Sequence, residues 1–386
     1  MSEGTNSKFH TAMFPWSAVG RMTPFLHLSN EIAKRDHNIS FFLPRKALIL
    51  LENLNLHPNL ITFHPLTIPS VATLPLGTET ASDIPISDTP SLAAAMDLNR
   101  PQLEVSLQAM RPDFIFYDTA YWIPQVTRPL GIRTVCDNVV SAAAIAIVLV
   151  PAPEVTLGKP LTEEELGSHL EAQSLIFVSL PFGDNITFHG RTTTAMRECD
   201  TIAMRTSQEI EGNLCAYISS QYGKPVFLTC PVLPEPAMET LDEKWAEWLS
   251  RFEPGSVGFE KRVQGRGVVH GGWVQQPLIL SHPSVGCFVN HCGFVMVPYL
   301  ADQILNKRLL ADELKVGIEV EREESGWFSK ESLCTAIENV MDEKSEVGTL
   351  VKTNHAKWRE VLVSPNFMTG YIDRFIQNLQ ELQMKS

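Results

Sequence analysis

Positive charge is scarce in this sequence: 31 Lys and Arg stand against 44 Asp and Glu in 386 residues, a formal net charge of −13. The shortage argues against a nucleic-acid or anionic-membrane partner, because gripping phosphates takes a basic face. Long hydrophobic runs are missing too. The most apolar stretch, residues 139–150, is too short to span a bilayer and is closed by Pro151, so no stable membrane insertion is expected. Residues 1–8 lack the apolar core of a secretory signal, which points to the cytoplasm. The seven cysteines are odd in number and none has Cys-x-x-Cys spacing, so a reduced compartment fits and a disulfide framework does not. No Gly-x-Gly-x-x-Gly follows an apolar strand, which argues against a dinucleotide-dependent dehydrogenase. His282 and His291 lie nine residues apart without a partner cluster, so no metal site is expected.

What remains is a chain that is 44% hydrophobic and only 19% charged, the balance of a folded protein, with a length that suggests two domains. Residues 11–14 read as a short apolar strand, followed by a loop over 15–21. Thr23 is placed to cap a helix with Pro24 at its first position, and Phe25, Leu28, Ile32 and Ala33 give that helix an apolar face. Residues 39–43 form a second strand that stops at Pro44. A strand–helix–strand opening of this kind implies a parallel sheet covered on both faces. Further strands are expected at 61–63, 114–117, 134–136, 201–204 and 226–229, and a helix over 97–110. Residues 65–90, rich in Pro, Thr and Ser, read as a long surface loop. Three prolines within 231–236 mark a linker, so the chain is expected to divide into 1–235, 236–364 and a terminal helical segment 365–386. Past the linker, a helix is expected over 241–252, one strong strand over 285–290, and late helices near 329–342 and 371–382.

The richest segment starts at Trp273-Val274-Gln275-Gln276, passes through Ser281-His282-Pro283 and Asn290-His291-Cys292-Gly293, and closes on Asp302-Gln303. An aromatic ring can stack on a base, a histidine after a strand can meet a phosphate, and an Asp–Gln pair can bind sugar hydroxyls. Taken singly these are weak: Trp273 reads first as packing and Asp302-Gln303 as surface. In this order they resemble the signature box of plant family 1 UDP-dependent glycosyltransferases. Met13-Phe14-Pro15-Trp16, Thr23-Pro24-Phe25-Leu26-His27-Leu28, Gln208-Glu209-Ile210-Glu211-Gly212 and Val232-Leu233-Pro234-Glu235-Pro236 are similar to the branch acting on flavonoid and anthocyanin glycosides.

The resemblance implies an α/β GT-B fold of two Rossmann-like lobes facing across a cleft. The first lobe would hold a small aromatic glycoside acceptor and the second a UDP-sugar, with no cofactor besides that donor. A monomer is expected. Trp273 would stack on uracil, Gln276 would reach the ribose, His291 the diphosphate, and Asp302 with Gln303 the sugar. Asp118, directly after the strand 114–117, matches the acid that orients the family's catalytic histidine; by itself it reads equally as a strand-end cap.

Three departures accompany the match. The histidine's Gly-His-x-x-Pro context here reads Gly20-Arg21-Met22-Thr23-Pro24. The reaction needs a base for the acceptor hydroxyl, and a guanidinium, having no lone pair to offer, cannot take that proton. His10 and His27 are no obvious substitutes, and Arg21 is expected to pair with Asp118 instead. Second, only His291 to Phe294 separate Asn290 from Val295, where the family has about a dozen residues more, including a phosphate-binding helix N-terminus; so short a link is not expected to join parallel strands. Third, Gly255-Ser256-Val257 runs directly into Gly258-Phe259-Glu260, which omits roughly fifty residues, about one strand–helix–strand unit. The second lobe is therefore expected to be incomplete and the activity impaired.

Overall fold

The computed structural model describes residues 8–150, 176–232, 240–250, 274–285, 287–290, 295–298, 302–323, 326–342 and 344–384. The chain divides into two compact units, Met1–Leu233 with Pro365–Ser386, and Pro234–Ser364.

In the first unit the order is β1 (His10–Phe14), α1 (Val19–Ala33), β2 (Asn38–Pro44), α2 (Arg45–Leu51), β3 (Ile61–Leu66), α3 (Thr89–Asp97), α4 (Arg100–Met110), β4 (Phe114–Tyr117), α5 (Ile123–Thr127), β5 (Arg133–Asn138), α6 (Ala142–Val148), α7 (Phe188–Glu198), β6 (Thr201–Met204), α8 (Gln208–Tyr222) and β7 (Val226–Leu228). The seven strands form one parallel sheet in the order β3-β2-β1-β4-β5-β6-β7. Met13, Phe41, Phe114, Phe116 and Val135 on the strands, with Phe25 and Ile32 on α1, form its buried core.

Two local expectations are corrected. Helix α1 starts at Val19, with Ala18 as its uncapped N-cap, so Thr23 and Pro24 lie inside it. Pro24 forgoes one backbone bond, but the early start adds the fully buried Met22 to the stripe of Phe25 and Leu26. Arg21 consequently sits in the first turn of a helix, not in a loop. The helix expected over 97–110 begins later, at Arg100: α3 ends at Asp97, Pro101 cannot donate to the Asp97 carbonyl, and α4 starts with that proline in its first turn.

The second unit contains α9 (Glu243–Leu249), α10 (Gln276–Leu280), β8 (Val289–Asn290), β9 (Val295–Met296), α11 (Asp302–Lys307), β10 (Ile318–Glu319), α12 (Lys330–Met341) and α13 (Glu346–Leu362). Among the described residues its sheet has three parallel strands in the order β10-β9-β8. Val295, Val320, Ala336 and Val340 make its small core. The expectation that four residues cannot join parallel strands is overturned, since Val289 pairs with Val295 and Asn290 with Met296 in parallel register. The ladder is only two residues long, so the chain has to return a gap of about 6 Å, well within the ~16 Å that five Cα-to-Cα steps can span. A strand as long as the expected 285–290 would not allow it. The junction at 255–258 lies outside the described residues.

Helix α14 (Phe367–Met384) belongs to the first unit. Its buried stripe of Ile372, Phe375, Ile376 and Leu379 joins the core, with the Phe375 ring edge-on to Phe116 at 6.0 Å and to Phe227 at 6.3 Å. Among the described residues no helix is long and apolar enough to cross a membrane.

Candidate active site

Strands β2 and β3 lie on one side of β1, and β4 to β7 on the other. The strand order thus reverses between β1 and β4. In an open parallel sheet that reversal opens a crevice at the carboxyl ends of the strands, where ligands are held. The residues there are Trp16 and Ser17 after β1, Asp118 and Thr119 after β4, Asp137 and Asn138 closing β5, and Arg205 after β6.

Asp118 is 4% exposed. Its Oδ1 accepts from the Trp16 N–H at 3.0 Å and the Thr119 N–H at 2.6 Å, which ties the end of β4 to the loop after β1. Its Oδ2 is buried without a partner. Burial pushes this carboxyl up; the Arg21 charge and the two backbone donors oppose that without cancelling it. The loop after it is pinned from beneath. The buried Arg191 donates to the Thr119 carbonyl at 3.1 Å and to the Phe182 carbonyl at 2.8 Å, and pairs with Asp97.

Arg21 and Asp118 do not form the expected pair, for no ion pair within 4.0 Å joins them. The reason is the early start of α1, which carries Arg21 on the helix. Arg21 still acts at longer range, as its charge lowers the pKa of Asp118 and that of Asp137. His10 lies at the start of β1, the far end of the strand, where Nε2 and the Ser40 hydroxyl are 2.9 Å apart. His27 lies on α1 with Nδ1 buried and unpartnered, and burial, followed by the charge of Arg205, lowers its pKa.

Sequence reasoning missed Asp137 and Arg205. Asp137 is 2% exposed, one place beyond the paired Tyr117 and Cys136, which sets it beside Asp118 on the neighbouring strand. Burial first, then the like charge of Asp118, raise its pKa to about 7 against the pull of Arg205 and Arg21. The available signal was the one used for Asp118, an acid closing an apolar strand.

In the second unit Asp302 and Gln303 are neighbours in the first turn of α11, where Asp302 Oδ2 accepts from the Asn306 amide at 3.3 Å. Gln276 opens α10 and is exposed. Gln275 beside it accepts from the Asp242 N–H at 2.8 Å. Trp273 and His291 lie outside the described residues.

No family model matches the chain. It is 46% identical to the anthocyanidin 3-O-glucoside 2'''-O-xylosyltransferase of Arabidopsis thaliana over 98% of both chains. It is also 46% identical to UDP-glycosyltransferase 79B3 of the same plant, over 97% of this chain and 98% of that one. The 458 aligned positions of the first comparison exceed the 386 residues here by 72, so at least that many positions of the alignment have no residue in this chain. The missing length agrees with the roughly sixty residues expected from the two interruptions of the motif pattern. Among solved structures, that of Arabidopsis thaliana UGT89C1 superposes with a TM-score of 0.77 at 20% identity, over 97% of this chain and all of that one. The α/β fold is therefore of the GT-B type that the motifs imply.

Proposed function

This chain belongs to the plant UDP-dependent glycosyltransferases, and from that membership we propose that it transfers a sugar from a UDP-sugar to a hydroxyl of a flavonoid or anthocyanin glycoside, with inversion at the anomeric carbon. The observation that carries the reading is the near-full-length identity to a xylosyltransferase named for an anthocyanidin glucoside. The acceptor hydroxyl loses its proton as its oxygen attacks the anomeric carbon, and UDP departs from the opposite face with the bonding electrons. Residues 1–235 hold the acceptor, 236–364 hold the donor, and 365–386 return to the first lobe. Trp273 stacks on uracil, Gln276 reaches the ribose, His291 meets the diphosphate, and Asp302 with Gln303 bind the sugar. The adjacency of Asp302 and Gln303 in one helical turn supports their joint role. Asp118 is the orienting acid, and Arg21 stands where the relatives' pattern has its base. The protein works as a monomer in the cytoplasm.

A second reading is a catalytically inactive homologue that retains acceptor binding, and Arg21 is the residue that favours it. One assay separates the two. The protein is titrated calorimetrically with UDP-glucose, then tested for transfer to a flavonoid 3-glucoside, with and without Arg21→His. Transfer by the unmodified chain supports the enzyme. Transfer only by R21H supports the inactive homologue, and no UDP-glucose binding in either protein locates the defect in the second unit.

A further inference from the structure

The end of the first unit's sheet holds two buried carboxyls side by side. Asp118 and Asp137 follow the last register pair of β4 and β5, Tyr117 with Cys136, and neighbouring positions on parallel strands face the same side of the sheet. Their surroundings differ. Asp118 is held by two backbone N–H groups and the Thr119 hydroxyl on one oxygen. Asp137 makes no hydrogen bond or ion pair through its side chain, and its Oδ1 is fully buried without a partner. Buried polar atoms left open in a fold are the ones that water or a ligand completes. The other charges facing Asp137 are Arg21 on α1 and Arg205 after β6, and the neighbouring Cys136 thiol lies on its own strand. His27 on α1 faces Arg205.

We propose that Asp118 and Asp137 act as a proton-sharing carboxyl pair in which Asp137 takes the acceptor's hydroxyl proton, the task that Arg21 cannot perform. The proposal rests on the glycosyl-transfer reading above. In the step, the acceptor O–H bond breaks and its proton passes to a carboxylate oxygen of Asp137. The acceptor oxygen forms the new bond to the anomeric carbon, and the bond from that carbon to the diphosphate oxygen breaks toward UDP. The proton afterwards leaves Asp137 for solvent.

The division of labour follows from the two environments. Backbone donors favour the ionised form of Asp118 against its burial, while only longer-range charge does so for Asp137. Carboxyls whose surroundings separate them in this way divide into one that keeps its charge and one that exchanges a proton. The two guanidiniums, Arg21 and Arg205, balance the doubly ionised pair before the step. With its pKa brought to about 7, Asp137 titrates where an imidazole would.

The test uses the full chain with UDP-glucose and a flavonoid 3-glucoside. Asp137→Asn is expected to lower kcat roughly 10²- to 10³-fold, the contribution of a general base, with little change in acceptor KM. Asp137→Glu should restore part of the rate, and Asp137→Asn combined with Arg21→His should restore turnover with an imidazole's pH profile. His27→Gln should leave the acidic limb of the profile in place. Asp137→Asn activity within about threefold of the parent, with its acidic limb intact, would overturn the proposal. A substrate-free reading accompanies this: carboxyl infrared difference spectra between pH 5 and 8, with Asp137→Asn as reference. A protonated Asp137 band disappearing near neutrality is expected; a carboxylate ionised across the whole range overturns the pair even where turnover is absent. A chain that transfers no sugar but carries that band sinks the glycosyl-transfer reading and, with it, the base role, while the proton-sharing pair stands.

Discussion

Arg191 lies almost fully buried against Asp97, with its Nη1 3.0 Å from Asp97 Oδ1. The same guanidinium holds the Thr119 carbonyl and stacks over the Tyr121 ring at 4.9 Å, while Asp97 also accepts from the Trp122 indole at 2.7 Å. One side chain thus fastens α3, α7 and the loop behind Asp118. Arg191→Met leaves the partly exposed Asp97 with the Trp122 bond but without its charge partner, and the Thr119 and Phe182 carbonyls without their donor, a loss of about 2–3 kcal/mol. Urea unfolding reads the change, and transfer activity is expected to fall with it as the Thr119 loop loosens.

Gly183 tests the same assembly from another side. Its φ is +96°, a region that side chains rarely adopt, and a β-carbon there would lie 3.1 Å from Asp97 Oδ2 and against the Arg191 guanidinium. Gly183→Ala is expected to cost about 1–3 kcal/mol through strain and a displaced ion pair. An unchanged urea midpoint would contradict this account.

The pH dependence of stability has two limbs of opposite sign. Asp137 has a folded pKa of about 7 against its ordinary 3.8, so the folded state binds more protons, and stability present below pH 4 is lost as pH rises through 7. His10, His27, His37 and His64 are shifted the other way, each chiefly by burial. Their contribution is present above pH 6.5 and lost as pH falls through their lowered values. Asp137→Asn is expected to flatten the loss between pH 5 and 8 and to leave the acid limb untouched, as followed by Tm at each pH.

Two contacts of helix α14, the Phe375 ring and the Tyr371 hydroxyl, can be tested one at a time. Phe375→Ala empties a site between Phe116 and Phe227 and is expected to cost about 3–5 kcal/mol. The Tyr371 hydroxyl donates to Glu209 at 2.7 Å and accepts from the Gln208 N–H at 2.8 Å, so Tyr371→Phe is expected to cost about 1 kcal/mol. Burial by itself would raise the Glu209 pKa, yet the Tyr371 bond and further donors bring it below its ordinary value. That stabilisation is present above the ordinary value and fades as pH falls through the lowered one, and Tyr371→Phe, which removes the largest of the lowering contacts, should reduce the fading.

Most strands of the first unit were legible, because runs such as Phe114-Ile115-Phe116-Tyr117 are apolar throughout and bounded by Asp113 and Asp118. The start of α1 was not, since Thr23-Pro24 imitates a helix beginning and only the packing of Met22 decides otherwise. Asp118 could be found from its position after a strand. Asp137 offered the same position, directly after the expected strand 134–136, but belongs to no quoted motif; strand pairing carries β5 through it to Asn138, Asp137 with Ala203 and Asn138 with Met204. In the second unit a sequence run of strand-like residues, 285–290, gives a strand of two residues, because the return to β9 leaves room for no more.

The place of α14 in the chain has a consequence for biosynthesis. A ribosome delivers the strands carrying Phe116 and Phe227 first, then all of residues 234–364, and only afterwards the helix whose Phe375 covers them. Through that interval the nascent sheet carries an uncovered aromatic patch into the cell. The core of the first unit is therefore closed only once residues 367–384 have emerged, however early its seven strands are made.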